Sequence, residues 1–114
     1  MSSEVYFAQR RATQNGGLLE KLEQLCDAAG FAAITGQGSL VAVLTSFGEV
    51  GSTTYLRPQY VQRVVRKLRQ YGGRPFLTDT LPGPGFLRQT GVDLLAAAIQ
   101  HGFDACGLDA PIVP

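Results

Sequence analysis

The chain has 114 residues, 45% of them hydrophobic and 17% charged, which is enough for one domain and too little for two ordinary ones. Ten basic and nine acidic residues leave a formal net charge of +1, so overall charge does not mark a nucleic-acid, acidic-polymer or membrane-surface binder. Two cysteines, Cys26 and Cys106, exclude a disulfide framework and a four-thiolate metal site within the chain.

No apolar stretch reaches membrane-spanning length, and the opening MSSEVYFAQRR lacks the ordered regions of a secretory signal. The expectation is a cytoplasmic protein with reduced thiols. The 14 Gly and 6 Pro exceed an ordinary share without reaching low complexity, and are read as punctuation between elements.

Along the chain, Val5-Tyr6-Phe7-Ala8 is β-branched and aromatic and predicts a first strand. After Asn15-Gly16-Gly17, Leu18, Leu22, Leu25, Cys26 and Ala29 fall on one face of a first helix, which Gly30 closes as a left-handed cap. Phe31 to Ser39 reads as a connection. Leu40-Val41-Ala42-Val43-Leu44 is apolar at every position, the pattern of a central parallel strand covered on both faces.

A polar loop from Thr45 to Arg57 then leads to Pro58, which suits a first helical turn. Val61, Val64, Val65, Leu68 and Tyr71 make the buried stripe of a second helix, which Gly72-Gly73 stops. Pro75 to Thr78 is a third strand, followed by Asp79-Thr80 and the turn-rich Leu81-Pro82-Gly83-Pro84-Gly85. Thr90 and Asp93 form a capping box for a third helix that buries Val92, Leu95, Ala96 and Ile99 and ends at Gly102. Ala110-Pro111-Ile112-Val113 opens a short fourth strand.

This β-α-β-α-β-α-β order predicts a single α/β domain over residues 1–114, with an open, mostly parallel sheet of three to four strands flanked by helices. Ligands in such sheets collect beyond the carboxyl ends of the strands. There the two polar loops bring Ser46, Gly48, Glu49, Thr53, Thr54, Arg57, Thr78, Asp79 and Thr80, a set suited to a small phosphate or carboxylate. The plainer reading is that these hydroxyls cap helices and close turns.

Arg57, Arg63, Arg66, Lys67, Arg69 and Arg74 crowd the second helix and its ends without an intervening acid. A solvated basic face accounts for them more simply than nucleic-acid binding. His101 is the sole histidine and falls at a helix end, where a cation caps favourably. Cys26 reads as a small core hydrophobe, and nothing near Cys106 marks it as reactive. No phosphate-loop, dinucleotide, zinc-hydrolase, thioredoxin or nucleophile-elbow motif is present.

The segments FGEVGSTTYLRPQYVQRVV and GGRPFLTDT, with EVYFAQRR, LLEKLEQLCDAAGF, HGF and APIVP, resemble the N-terminal part of the family called domain of unknown function 362. Longer members of that family are described as iron–sulfur-centre proteins and carry a ferredoxin-like module. The resemblance implies a truncated or stand-alone module whose cluster, if any, belongs to another segment or chain, since two thiols cannot hold one. It also implies His before the FGE triplet and Asn before TTY, where this chain has Ser46 and Ser52. An expected function follows: a non-catalytic module that binds a small anion or a partner at the strand-end edge and self-associates as a homo-oligomer or docks a partner protein. The alternatives are part of an iron–sulfur-associated redox enzyme and nucleic-acid binding through the basic helix.

Overall fold

The structure, a computed structural model, describes residues 2–11, 16–81 and 90–114. Asn15 and the run Pro82-Gly83-Pro84-Gly85, both read above as turns, lie outside the described residues. The elements are α1 (Leu18–Ala28), α2 (Phe31–Ile34), β1 (Leu40–Leu44), α3 (Pro58–Gln70), β2 (Arg74–Thr78), α4 (Gly91–Gln100) and α5 (Ala105–Leu108). The fold is mixed α/β, with a small open parallel sheet packed against helices.

Strands β1 and β2 pair in parallel, Leu40 opposite Arg74 through Leu44 opposite Thr78. Helix α3 makes the crossover that parallel pairing requires. Beyond β2, among the described residues, a parallel bridge joins Leu77 to Ile112. In it the Leu77 amide donates to the Pro111 carbonyl (2.9 Å) and the Val113 amide to the Leu77 carbonyl (2.8 Å). The expected fourth strand is thus present as one rung.

Helix α3 begins with Pro58 in its first turn, and Val61, Val65 and Leu68 are buried along its inner stripe, as the periodicity predicts. Val61 and Val65 meet Phe47, Leu77, Leu94, Ala98, Phe103, Leu108 and Ala110 in one core. Helix α1 lies beside α3 and ends at Gly30, which has the left-handed φ of +82° expected of it. At the other end of α3, a Cβ on Gly73 would lie 2.6 Å from Thr35 Cγ2 and 3.2 Å from the Leu68 carbonyl oxygen. Only glycine lets β2 start that close to the helix it leaves.

Four expectations are corrected. Val5 to Ala8 form no strand: Val5 is 87% and Phe7 81% exposed, and without a neighbouring strand to hydrogen-bond, β-propensity alone does not make one. The sheet accordingly has two strands among the described residues rather than three or four. Strand β1 is an edge strand, not a covered central one. Its side chains alternate, with Val41 and Val43 half-buried toward the helices while Leu40 (68%) and Leu44 (67%) stand in solvent, because every helix that packs on the sheet does so on the core side.

The fourth correction concerns α4. Its N-terminus matches the reading, with the Thr90 side chain accepting from the Asp93 amide (3.1 Å) and Asp93 accepting from the Thr90 amide (3.0 Å). Its buried face is Leu94, Ala97 and Ala98, whereas Val92 (76%) and Ile99 (71%) are exposed. The sequence GVDLLAAAIQ is apolar almost all round, so periodicity does not choose a face, and the small Ala97 and Ala98 permit the closer approach to the core. The short helices α2 and α5, within segments read as connections, complete the fold.

The α4 capping-box hydrogen bonds are exposed, so Thr90→Ala should cost about 1 kcal/mol of stability. Urea unfolding of the two proteins checks this, with the slope unchanged and only the midpoint lowered.

Candidate functional site

The carboxyl ends of β1 and β2 open into a shelf built by three chain segments. Strand β1 runs on into the loop from Thr45, whose amide donates to the Thr78 carbonyl (3.1 Å) and extends the ladder by one bond. Next, the Asp79 carboxylate accepts from the Phe47 amide (3.0 Å) through one oxygen and from the Thr80 amide (2.8 Å) through the other. Asp79 thereby ties the end of one strand to the exit of the other, and Phe47 is driven fully into the core. The Ser46 hydroxyl accepts from the Gly48 amide (3.2 Å) and tightens the same turn.

Sequence spacing gave no sign of the third segment, the end of α4. His101 Nδ1 lies 2.6 Å from the Phe47 carbonyl oxygen. A carbonyl oxygen only accepts, so Nδ1 carries the proton when the imidazole is neutral, and Nε2 is left as the acceptor. The ring is stacked on Tyr55, with centroids 4.4 Å apart and planes 17° off parallel, and Tyr55 and Phe47 both pack against Phe103. Gly48 threads between these rings with φ +84°, where a Cβ would lie 2.7 Å from Tyr55 Cδ1 and 2.8 Å from His101 Nδ1. His101 caps α4 as expected and in addition clamps the loop after β1.

The predicted residues therefore divide into two groups. Ser46, Gly48, Thr78, Asp79 and Thr80 gather at the clamp. Glu49 begins a turn in which its carbonyl accepts from the Ser52 amide (2.9 Å), and the Ser52 hydroxyl is 3.0 Å from that of Thr54. Thr53, Thr54 and Arg57 are exposed further along, where the loop turns into α3. No side chain caps the start of α3 and its first turn holds no acid. The Gln59 amide, the helix dipole and the Arg57 guanidinium give this end of the shelf a positive character. Pro58 Cγ would lie 3.4 Å from a Cβ on Gly102, so the start of α3 sits beside the end of α4. The residues missed by sequence reading are Phe47, Tyr55 and His101, because His101 and Phe47 meet across 54 positions.

The basic face of α3 is largely engaged by acids of neighbouring elements. Arg63 pairs with Glu20 and Glu23, Arg66 with Glu23, Lys67 with Asp27 and Arg69 with Asp109. Asp27 also accepts from the Tyr71 hydroxyl. That bond and the Lys67 ammonium hold the Asp27 carboxyl below its ordinary value, while burial, then the bond to Asp27, pushes the Tyr71 phenol up. Four of the six cations of this region are thus paired with acids of α1 or with Asp109.

Cys26 is buried in the α1 stripe, where desolvation and then Asp27 raise its thiol above the ordinary range; it packs as a hydrophobe. Cys106 is exposed on α5. Among the described residues no three His, Cys, Asp or Glu side chains gather as metal ligands, and no helix is long and apolar enough to cross a membrane. No family model, curated protein or solved structure matches the chain.

Gly48→Ala should destabilise the protein by about 2 kcal/mol, through the left-handed backbone and the collision with two rings. Chemical unfolding measures the loss. The imidazole resonances of His101 should also move, since the added methyl occupies the space between it and Tyr55.

Proposed function

We propose that the chain is a non-catalytic α/β binding module that takes a small anionic group, a phosphate or a carboxylate, at the carboxyl edge of the sheet over the start of α3. The observation that carries this reading is the α3 N-terminus, which has no side-chain cap and no acid in its first turn and offers the Gln59 amide next to Arg57, Pro58 having no N–H and the Tyr60 amide donating to the Arg57 carbonyl. Helix N-termini of this kind stabilise anions through directed N–H groups and the aligned peptide dipoles. The clamp supports the reading from behind. Asp79, the Phe47 carbonyl and His101 fix the near end of the loop, while its far end, with exposed Thr53, Thr54 and Arg57, meets solvent.

Each part has a distinct role. Arg57 supplies the charge, the Gln59 amide supplies direction, and the Thr53 and Thr54 hydroxyls can donate to further anion oxygens. The site is shallow and exposed, so it fits the terminal phosphate or carboxylate of a ligand better than a wholly enclosed molecule. Membership in a family of iron–sulfur-associated proteins would place such a module beside a redox partner that carries the cluster; this rests on the segment resemblance alone.

Titrating the protein with inorganic phosphate, and separately with acetate, under amide chemical-shift observation tests the reading. Shifts confined to Thr53 through Tyr60 are expected, and Arg57→Ala should weaken the affinity about tenfold, the loss of one charge-assisted contact. Shifts scattered over the surface, or binding indifferent to Arg57→Ala, contradict it.

A further inference from the structure

We infer that the open edge of β1 receives the N-terminal segment Val5-Tyr6-Phe7-Ala8 of a second copy of this chain, so that two molecules exchange strands reciprocally.

The acceptor is defined by the ladder. The Arg74 amide donates to the Ser39 carbonyl, and the Thr45 amide donates to the Thr78 carbonyl, so the odd-numbered residues of this stretch turn their backbone groups toward β2. The peptide groups of Leu40, Ala42 and Leu44 therefore point the other way, to an edge with no strand on it among the described residues. Two apolar grooves, each of about 230 Å³, run along that edge and share Val43 and Val64. Leu22, Leu56 and Tyr60 line one, and Phe31, Ile34 and Leu68 the other. An unpaired strand edge flanked by apolar side chains is a template for one more strand.

The donor is on the same chain. Residues 2–9 form neither helix nor strand, yet Val5-Tyr6-Phe7-Ala8 has strand-forming composition, and Val5 (87%) and Phe7 (81%), with Ile34 (81%), are the most exposed large apolar side chains among the described residues. Just beyond this segment, the buried Lys21 of α1 donates through Nζ to the carbonyls of Gln9 (3.0 Å) and Arg11. That fixes the root of the arm on the helix that flanks the groove and leaves its tip uncovered.

Topology agrees on the site. Helix α1 packs beside α3, and crossovers of one hand running the same way put the strand preceding α1 on the open side of β1. Val5 to Ala8 pair with no strand and leave Val5 and Phe7 in solvent, so a second copy can supply what the β1 edge lacks. The exchange is self-complementary, each chain giving and taking one strand, and closes as a two-fold dimer. Alternation seats Val5 and Phe7 on one face of the added strand and Tyr6 and Ala8 on the other.

Light scattering of the full chain over a range of concentrations, with the substitutions Phe7→Pro in the donor and Ile34→Asp in the acceptor, tests this. Both positions are more than four-fifths exposed, so each variant should keep the parent circular dichroism. The parent should weigh twice the chain mass, with the Ala42 and Leu44 amides protected from exchange. Each substitution should weaken association about tenfold or more, since one takes an N–H out of the strand and fixes its φ, and the other puts a charge in the groove. A parent that stays monomeric at every concentration overturns the inference, whether or not the Ala42 amide is protected. So does a dimer unaffected by either one of the substitutions.

Discussion

The burial of one face of α3 against the inner side of the β1–β2 pair holds the molecule together. Val61, Val65 and Leu68 are each no more than 4% exposed, and at roughly 1.5–3 kcal/mol per fully buried side chain they outweigh any surface ion pair in the structure. Because β1 and β2 are parallel, they exist as a pair only through the crossover that α3 supplies. The remaining elements attach to that unit. Helix α1 docks on the flank of α3, with Glu20, Glu23 and Asp27 meeting its cations. Helix α5 follows, with Gln62 donating to the Gly107 carbonyl and Arg69 to the Asp109 carbonyl.

The same arrangement explains why the strand-end shelf has one rigid and one open end. Phe47 and Phe103, both fully buried, anchor the exits of β1 and α4 in the core with their rings 5.1 Å apart. Gly48, next to Phe47, and His101, two residues before Phe103, are then brought into contact, and the Asp79 carboxylate completes the junction from the side of β2. Farther along, the Ser52 to Arg57 stretch is held to the junction through Tyr55, while Ser52 and Thr54 share only local hydrogen bonds and Thr53, Thr54 and Arg57 are exposed. A fixed junction beside an accessible helix start is an economical way to position polar groups for a ligand, and it requires no deep cavity.

How much of this was legible in the sequence varied with the kind of interaction. Helix α3 was readable in full, because a Pro in the first turn, a clean apolar stripe and a Gly-Gly stop all agree. The α4 capping box was readable because its two partners are three residues apart. The polar loops were placed at the correct sheet edge, since that follows from β-α-β order alone. The buried face of α4 was not legible, because apolar residues surround that helix. Nor was the fate of Val5 to Ala8, since a strand is a property of a pair and its partner is not encoded locally. The His101–Phe47 contact depends on the tertiary packing of two phenylalanines, which no local spacing reports. Helices α2 and α5 have four residues each, too short to be nucleated without the packing around them.

Residue-resolved hydrogen exchange under native conditions tests the claim that α3 and its contact with the inner side of the sheet carry the fold. The amides of Val65, Leu68 and Leu77 should exchange last and together, at the free energy of global unfolding, with those of α4 and α5 opening earlier. Exchange of the α3 amides ahead of those in α4, at a free energy well below global unfolding, would contradict it.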